Sequence, residues 1–152
     1  MLLDRRRTEQ VLLALVVAEN AWSAAGAAAM LLDGDRRRAW ARANAAMSAA
    51  WAATKLLSRT TKRSRPHFCD CPPARPKDDR ESFPSSHAAT SFAAAVAVPP
   101  LLPAAPLFAA ATATATARLL LGEHYPSDVA GGMLLGSVVA ALVGRRRRPL
   151  TR

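Results

Sequence analysis

Apolar residues along this chain gather into long runs, separated by short polar segments rich in Arg, Pro or Gly. Five runs read as helices. The first extends from about Glu9 to Leu32 and stops at Asp33-Gly34-Asp35, a turn-forming triplet. The second runs from about Arg38 to Leu57 and is rich in alanine, with Trp40 and Trp51. The third starts near Ser86 and stops at Pro99-Pro100, where two successive residues lack a backbone donor. The fourth runs from about Pro106 to Leu121, closed by Gly122, and the fifth from about Asp128 to Val143, before Arg145–Arg148. Between the second and third runs, Arg59–Phe83 shows no periodicity and carries prolines, as a loop does. The alternating Ala and Thr over Thr112–Thr116 reads as strand in isolation, but its alanine content and its flanks favour helix. The pattern therefore predicts an all-α chain, with 1–152 as a single domain.

The runs are apolar all round rather than striped, which suits lipid better than a one-sided core. We expect a membrane-embedded bundle of about five helices. The first run is long enough to span a bilayer and reads as a retained helix rather than a cleaved signal peptide, because its apolar pattern continues to Leu32. Glu19 and Asn20 inside it would face the bundle. The third and fifth runs come out at about 14 to 16 residues, short of the ~20 a span needs, and the chain's mean hydropathy is only +0.04. A soluble helical bundle is the competing reading.

Charge changes the picture in two ways. The net charge is +10, but aromatics are 5% of the chain and no nucleic-acid recognition motif is present, so nucleic acid is not an expected partner. Arginines flanking apolar runs instead suit anionic lipid headgroups. Five spans would put Arg36–Arg38 and Arg145–Arg148 on one side, which the positive-inside rule makes cytoplasmic. Arg59–Phe83 and the turn Gly122–Ser127 then lie together on the outer face of the cell membrane, although Arg5–Arg7 run against this scheme. Cys69 and Cys71 are read as thiols in a loop, since with His67 and Asp70 they make a poor metal set. No metal and no cofactor are expected.

Three polar clusters carry candidate chemistry. The last is Arg118-Leu-Leu-Leu-Gly-Glu-His124-Tyr-Pro-Ser-Asp128. Its spacing lets the Asp128 carboxylate reach one ring nitrogen of His124, leaving the other as base or nucleophile, while Arg118 offers a planar fork for phosphate oxygens. Asp128 also suits a plain helix cap. The second cluster, Pro84-Ser85-Ser86-His87, opens an apolar helix. Its serines can cap that helix, and its backbone N–H groups make an anion site, with His87 placed to deliver a proton. The first cluster runs from Lys55 to Arg65-Pro66 and by itself reads as a solvated basic face. All three fall at helix ends, and a hairpin of the third and fourth helices returns Arg118 to the side of His87.

Together the clusters resemble the signature of the type 2 phosphatidic acid phosphatase family, which includes acid phosphatases and vanadium haloperoxidases. That signature reads Lys-x6-Arg-Pro, Pro-Ser-Gly-His and Ser-Arg-x5-His-x3-Asp. Here Arg65-Pro66, Pro84-Ser85-Ser86-His87 and Arg118-x5-His124-x3-Asp128 match in order, within a family-like part of about 38–143. The resemblance implies a metal-independent phosphatase acting on a lipid phosphate: a phosphatidate, a prenyl phosphate or diphosphate, or a prenyl-linked sugar phosphate. It implies that His124 attacks phosphorus to form a phosphohistidine, that Asp128 orients His124, and that His87 protonates the leaving oxygen. Arg65, Arg118 and the backbone at Ser85-Ser86 would hold the phosphoryl oxygens. Ser86 stands for the motif glycine, Ala117 for its serine and Ser58 for its lysine. Lys55, one turn earlier (about 4.5 Å along the axis), or Arg59 would substitute for that lysine. Membrane members of the family usually have six spans; about five here implies an N-terminus outside. The alternatives are a soluble or peripheral acid phosphatase, or a catalytically weakened lipid-phosphate binding protein, the latter motivated by Ser58.

Overall fold

The computed structural model describes residues 10, 24, 26–66, 81–99 and 101–145. Of the run expected over 9–32, residues 10, 24 and 26–32 are helical; the rest of it, with Glu19 and Arg5–Arg7, lies outside the described residues. So do His67, Cys69, Asp70, Cys71 and Arg146–Arg148. Four further helices follow, and the described residues contain no strand, so the chain is all-α.

Helix α1, Arg37–Thr61, begins beyond the predicted turn, where Asp33 accepts bonds from Arg36 N and Trp40 Nε1, both at 3.2 Å. It outlasts the expected end at Leu57. The Thr60 and Thr61 hydroxyls fold back onto the Leu57 carbonyl, and Lys62 closes the helix in the left-handed conformation, φ 45°, with its N–H on Ser58 O. Helix α2, Ser86–Ala97, has Ser85 as N-cap, its hydroxyl accepting from Ala88 N. Helix α3, Ala104–Leu120, starts two residues before Pro106, because a proline in the first turn withholds an N–H that has no partner there anyway. It ends at a turn through Gly122, whose φ of 65° is one glycine adopts readily. Helix α4, Pro126–Arg145, likewise begins on a proline, and at 20 residues it is longer than its predicted core.

Helix α2 is central: it packs against α1, α3 and α4, with Ala88, Ala89, Ser91, Phe92, Ala93, Ala94 and Ala95 all buried. Helix α4 meets it through Gly132 and Gly136, one turn apart on the same face, with Ala140 buried one turn further on. A Cβ at Gly132 would collide with the Ser85 carbonyl, and one at Gly136 with the backbone of Ala89. The two helices thus touch backbone to backbone, a small-residue contact seen between helices in lipid. The helix directions bring the C-terminal ends of α1 and α3 and the N-terminal ends of α2 and α4 to one end of the bundle. Among the described residues α4 alone is long and apolar enough to cross a membrane; α3 is apolar but shorter. Leu134, Val138 and Leu142 on α4, Phe108 on α3, and Trp51 and Leu56 on α1 are exposed.

Two glycines of α4 test this packing. Gly136→Ala is expected to destabilise the fold by about 1–3 kcal/mol, because the added carbon must push α2 away. Gly144→Ala meets nothing within 4 Å and should be neutral or stabilising by a few tenths up to about 1 kcal/mol. Denaturation curves in detergent micelles measure both; equal midpoints for the two variants would contradict the close approach.

Candidate active site

The site forms where the four helix ends meet, and it is assembled from local devices. Tyr125, Pro126, Ser127 and Asp128 open α4, and Asp128 reaches back so that its Oδ2 accepts from Tyr125 N at 2.9 Å. That is one half of a capping box, and a carboxylate there is also favoured by the helix dipole. The Asp128 carbonyl accepts from Ser85 N at 3.0 Å, tying the start of α2 to the start of α4. Ser85 is fully buried, and Ser86 and His87 occupy the first turn of α2, half-buried. Their backbone N–H groups lie at a helix start, where donors point outward.

His124 is buried in the turn between α3 and α4. Its Nδ1 lies 2.8 Å from the Ser82 carbonyl oxygen. A carbonyl can only accept, so Nδ1 carries the proton and Nε2 presents its lone pair. Asp128, expected to hold this ring nitrogen, stands 3.9 Å from Nδ1. Its oxygens are taken by Ser82 Oγ at 2.5 Å, Tyr125 N, and Arg63 Nη1 at 2.8 Å. The ring contact that spacing assigned to the carboxylate thus belongs to a backbone carbonyl. The reason is tertiary: Ser82, tied to the loop after α1 through its N–H to Arg63 O, puts its carbonyl on His124 and its hydroxyl on Asp128.

Three arginines converge here. Arg118, fully buried in the last turn of α3, bonds Glu123 Oε2 through Nη1 at 2.6 Å. Arg65 bonds the Glu123 carbonyl at 2.7 Å through Nη1, which also lies 3.3 Å from His124 Nε2. Its Nη2 reaches Glu81 O at 3.4 Å, and its buried Nε meets no acceptor among the described residues. Arg63 bonds Asp128 Oδ1 and Ser127 Oγ, both at 2.8 Å, and lies over the Tyr125 ring. The two proposed stand-ins for the missing lysine differ. Ser58 is buried, and Lys55, three residues earlier on the same face, pairs with Glu81 at 2.5 Å beside the site. Arg59 is exposed on α1. The expected residues Arg65, Ser85, Arg118, His124 and Asp128 are therefore brought into one bonded web, with Ser86 and His87 on the helix start that adjoins it. Ser82, Arg63, Glu81 and Glu123 belong to that web and escaped the sequence reading. Of these only Arg63 and Glu123 carried a signal, as charges beside motif residues. Among the described residues no three His, Cys, Asp or Glu side chains could hold a metal ion.

Comparison with known proteins places the whole chain. The PAP2 superfamily model matches residues 39–151. The chain belongs to the PAP2 superfamily. A decaprenylphosphoryl-5-phosphoribose phosphatase of Mycobacterium tuberculosis is 37% identical over 130 residues, covering 74% of this chain and 66% of that protein. The protein of the same name in Mycolicibacterium smegmatis is 37% identical over 113 residues, 73% of this chain and 62% of its own length. The chain thus spans just under two thirds of these relatives. The fold is that of the transmembrane PAP2-type phosphatidylglycerolphosphate phosphatase of Bacillus subtilis, with a TM-score of 0.67 at 22% identity over 94% of this chain and 77% of that one.

Electrostatics set the state of His124. Burial, and then the Arg65 charge, lower the His124 pKa from 6.5 to about 4, against the opposing Ser82 bond, Asp128 and Glu123. Burial also lowers that of Arg65, with Glu123 opposing most strongly, but a guanidinium stays charged. Between pH 6.5 and about 4 the unfolded chain binds a proton at His124 that the folded chain refuses. Stability contributed by the neutral ring is therefore lost as pH falls through that window. His124→Gln should flatten this loss by roughly 2–3 kcal/mol between pH 6.5 and 4.5. Denaturation at the two pH values checks it, and parallel losses in both proteins would refute the depressed value.

Proposed function

We propose that this chain is a multi-pass membrane phosphatase that hydrolyses the phosphate monoester of a lipid phosphate, in particular a prenyl-linked sugar phosphate, through a phosphohistidine. The observation that carries the reading is the His124 ring, whose Nδ1 proton is held by a carbonyl while Nε2 faces Arg65. The named activity of the mycobacterial relatives supports the substrate class.

In this mechanism the phosphoryl oxygens lie on Arg65, Arg118 and the first-turn N–H groups of α2. His124 Nε2 attacks phosphorus in line, the P–O bond to the sugar breaks, and His87 gives its proton to the leaving oxygen. Water, deprotonated by His87, then attacks the phosphohistidine and frees inorganic phosphate. Fixed positive charge around the phosphoryl group supplies most of the rate. The Ser82 carbonyl and the negative charge of Asp128 stabilise the ring as it becomes positive. Lys55, paired to Glu81, and Arg59 on the outer surface of α1 are candidate rim contacts in place of the motif lysine.

The membrane reading draws on the 20-residue α4 and on the exposed leucines and aromatic residues, which suit lipid. Arg36–Arg38 and Arg145 lie at the bundle end opposite the site, which favours an extracytoplasmic site by the positive-inside rule. A membrane-impermeant thiol reagent added to intact cells should label Cys69 and Cys71; labelling only after lysis would reverse the orientation.

Phosphate release from a prenyl-linked sugar phosphate, with phosphatidate and prenyl phosphate as comparisons, tests the activity. His124→Ala should abolish turnover, and His87→Ala should slow it by about 10²–10⁴-fold. Chelator should leave the rate unchanged. A protein that binds the lipid phosphates but releases none would support the weakened-binder alternative.

A further inference from the structure

Arg63 is not one of the motif positions, yet it makes three contacts at the centre of the site. Its Nη1 lies 2.8 Å from both Asp128 Oδ1 and Ser127 Oγ, and its guanidinium stacks 4.4 Å from the Tyr125 ring centroid. The side chain is 41% exposed, whereas Asp128 is fully buried. We propose that Arg63 is a positioning residue for His124: by holding Asp128 Oδ1 it keeps the carboxylate off the imidazole and leaves the ring proton with the Ser82 carbonyl. The proposal rests on the reading of His124 as the nucleophile.

Asp128 Oδ2 already takes two donors, Ser82 Oγ and Tyr125 N, and Arg63 supplies the donor to Oδ1. With those positions filled, the nearest approach of the carboxylate to the ring is the 3.9 Å from Oδ2 to Nδ1. Without Arg63, Oδ1 becomes a buried anionic oxygen without its donor, which is costly. The His124 ring, whose Nδ1 lies 3.9 Å from the other carboxylate oxygen, can supply a proton. The carboxylate would then turn toward Nδ1 and favour the imidazolium, which raises the pH at which the Nε2 lone pair is lost. Two other charges act on the His124 ring, Arg65 from the loop after α1 and Glu123 from the same turn. Arg118 from α3, Glu81 from the segment before α2 and the titratable His87 from α2 are the remaining ionisable groups of the packed elements at this end of the bundle. Arg65 and Glu123 oppose each other at the ring, and Arg118 is paired with Glu123. Glu81 is paired with Lys55. Arg63 differs from them in acting through Asp128. It is also a different kind of arginine from Arg65, whose guanidinium bonds carbonyl oxygens and has no carboxylate bonded to it among the described residues.

Ring ¹⁵N NMR of the full chain in detergent micelles, with labelled histidine, reads this without any substrate. The His124 signals are identified by their loss in His124→Gln. The wild-type ring is expected to stay neutral and Nδ1-protonated down to about pH 5. Arg63→Gln should raise the titration midpoint by about one pH unit or more, and move the acid limb of kcat/KM in the same direction. Arg63→Lys, which keeps a cation opposite Asp128, should restore most of the wild-type behaviour. In the Arg63→Gln background, Asp128→Asn should remove the rise, because the effect passes through the carboxylate. An unchanged midpoint in Arg63→Gln, or an equal rise with Asp128→Asn present, overturns the proposal. The ring titration remains readable even where no phosphatase activity is found, so the two readings fail separately.

Discussion

The site depends on one buried carboxylate. Asp128 is fully buried and accepts from Arg63, from Ser82 and from the backbone of Tyr125, while its own carbonyl accepts from Ser85. Removing a charge from water costs several kcal/mol unless nearby groups replace the lost solvation. Here the replacements come from the loop after α1, the segment before α2 and the turn before α4. Those segments carry the three motifs, so solvating one anion also gathers them. The start of α4 adds its own partial positive charge.

The same principle extends across the site. Lys55 is matched by Glu81, Arg63 by Asp128 and Arg118 by Glu123. A strongly basic chain has thus built a centre in which cation and carboxylate are largely balanced. The balance fixes the guanidinium groups of Arg63 and Arg118 in place. Arg65 is held differently, by the carbonyl oxygens of Glu81 and Glu123, which orient it without cancelling its charge.

How much could be read from the residues alone follows from how local each contact is. Arg118, His124 and Asp128 were legible because a helix end, a turn and a helix start fix their separation within eleven residues. Helix existence is legible in the alanine runs, but the ends differ where a proline or a back-bonded threonine behaves differently in a first or last turn. Lys55 and Arg59 seemed equivalent in one dimension. On a helix they are not: Lys55 lies near the face of buried Thr54 and Ser58, while Arg59 is about 100° on from Ser58 and exposed. Ser82 could not have been found. Its hydroxyl, N–H and carbonyl all matter, and each finds its partner only when segments far apart in the chain meet.

The alanines of α2 carry a thermodynamic consequence. A helix buried on every side would ordinarily freeze many rotatable side-chain bonds, and each costs entropy. Ala88, Ala89, Ala93, Ala94 and Ala95 have none to freeze. The helix that begins at Ser86 and His87 is therefore immobilised with little entropic loss in its side chains. Such small side chains also bring little apolar area each, so their cohesion comes from close atomic contact with α4 rather than from bulk. A core of this kind has few alternative packings to slip into, which keeps the start of α2, with Ser86 and His87, in one place.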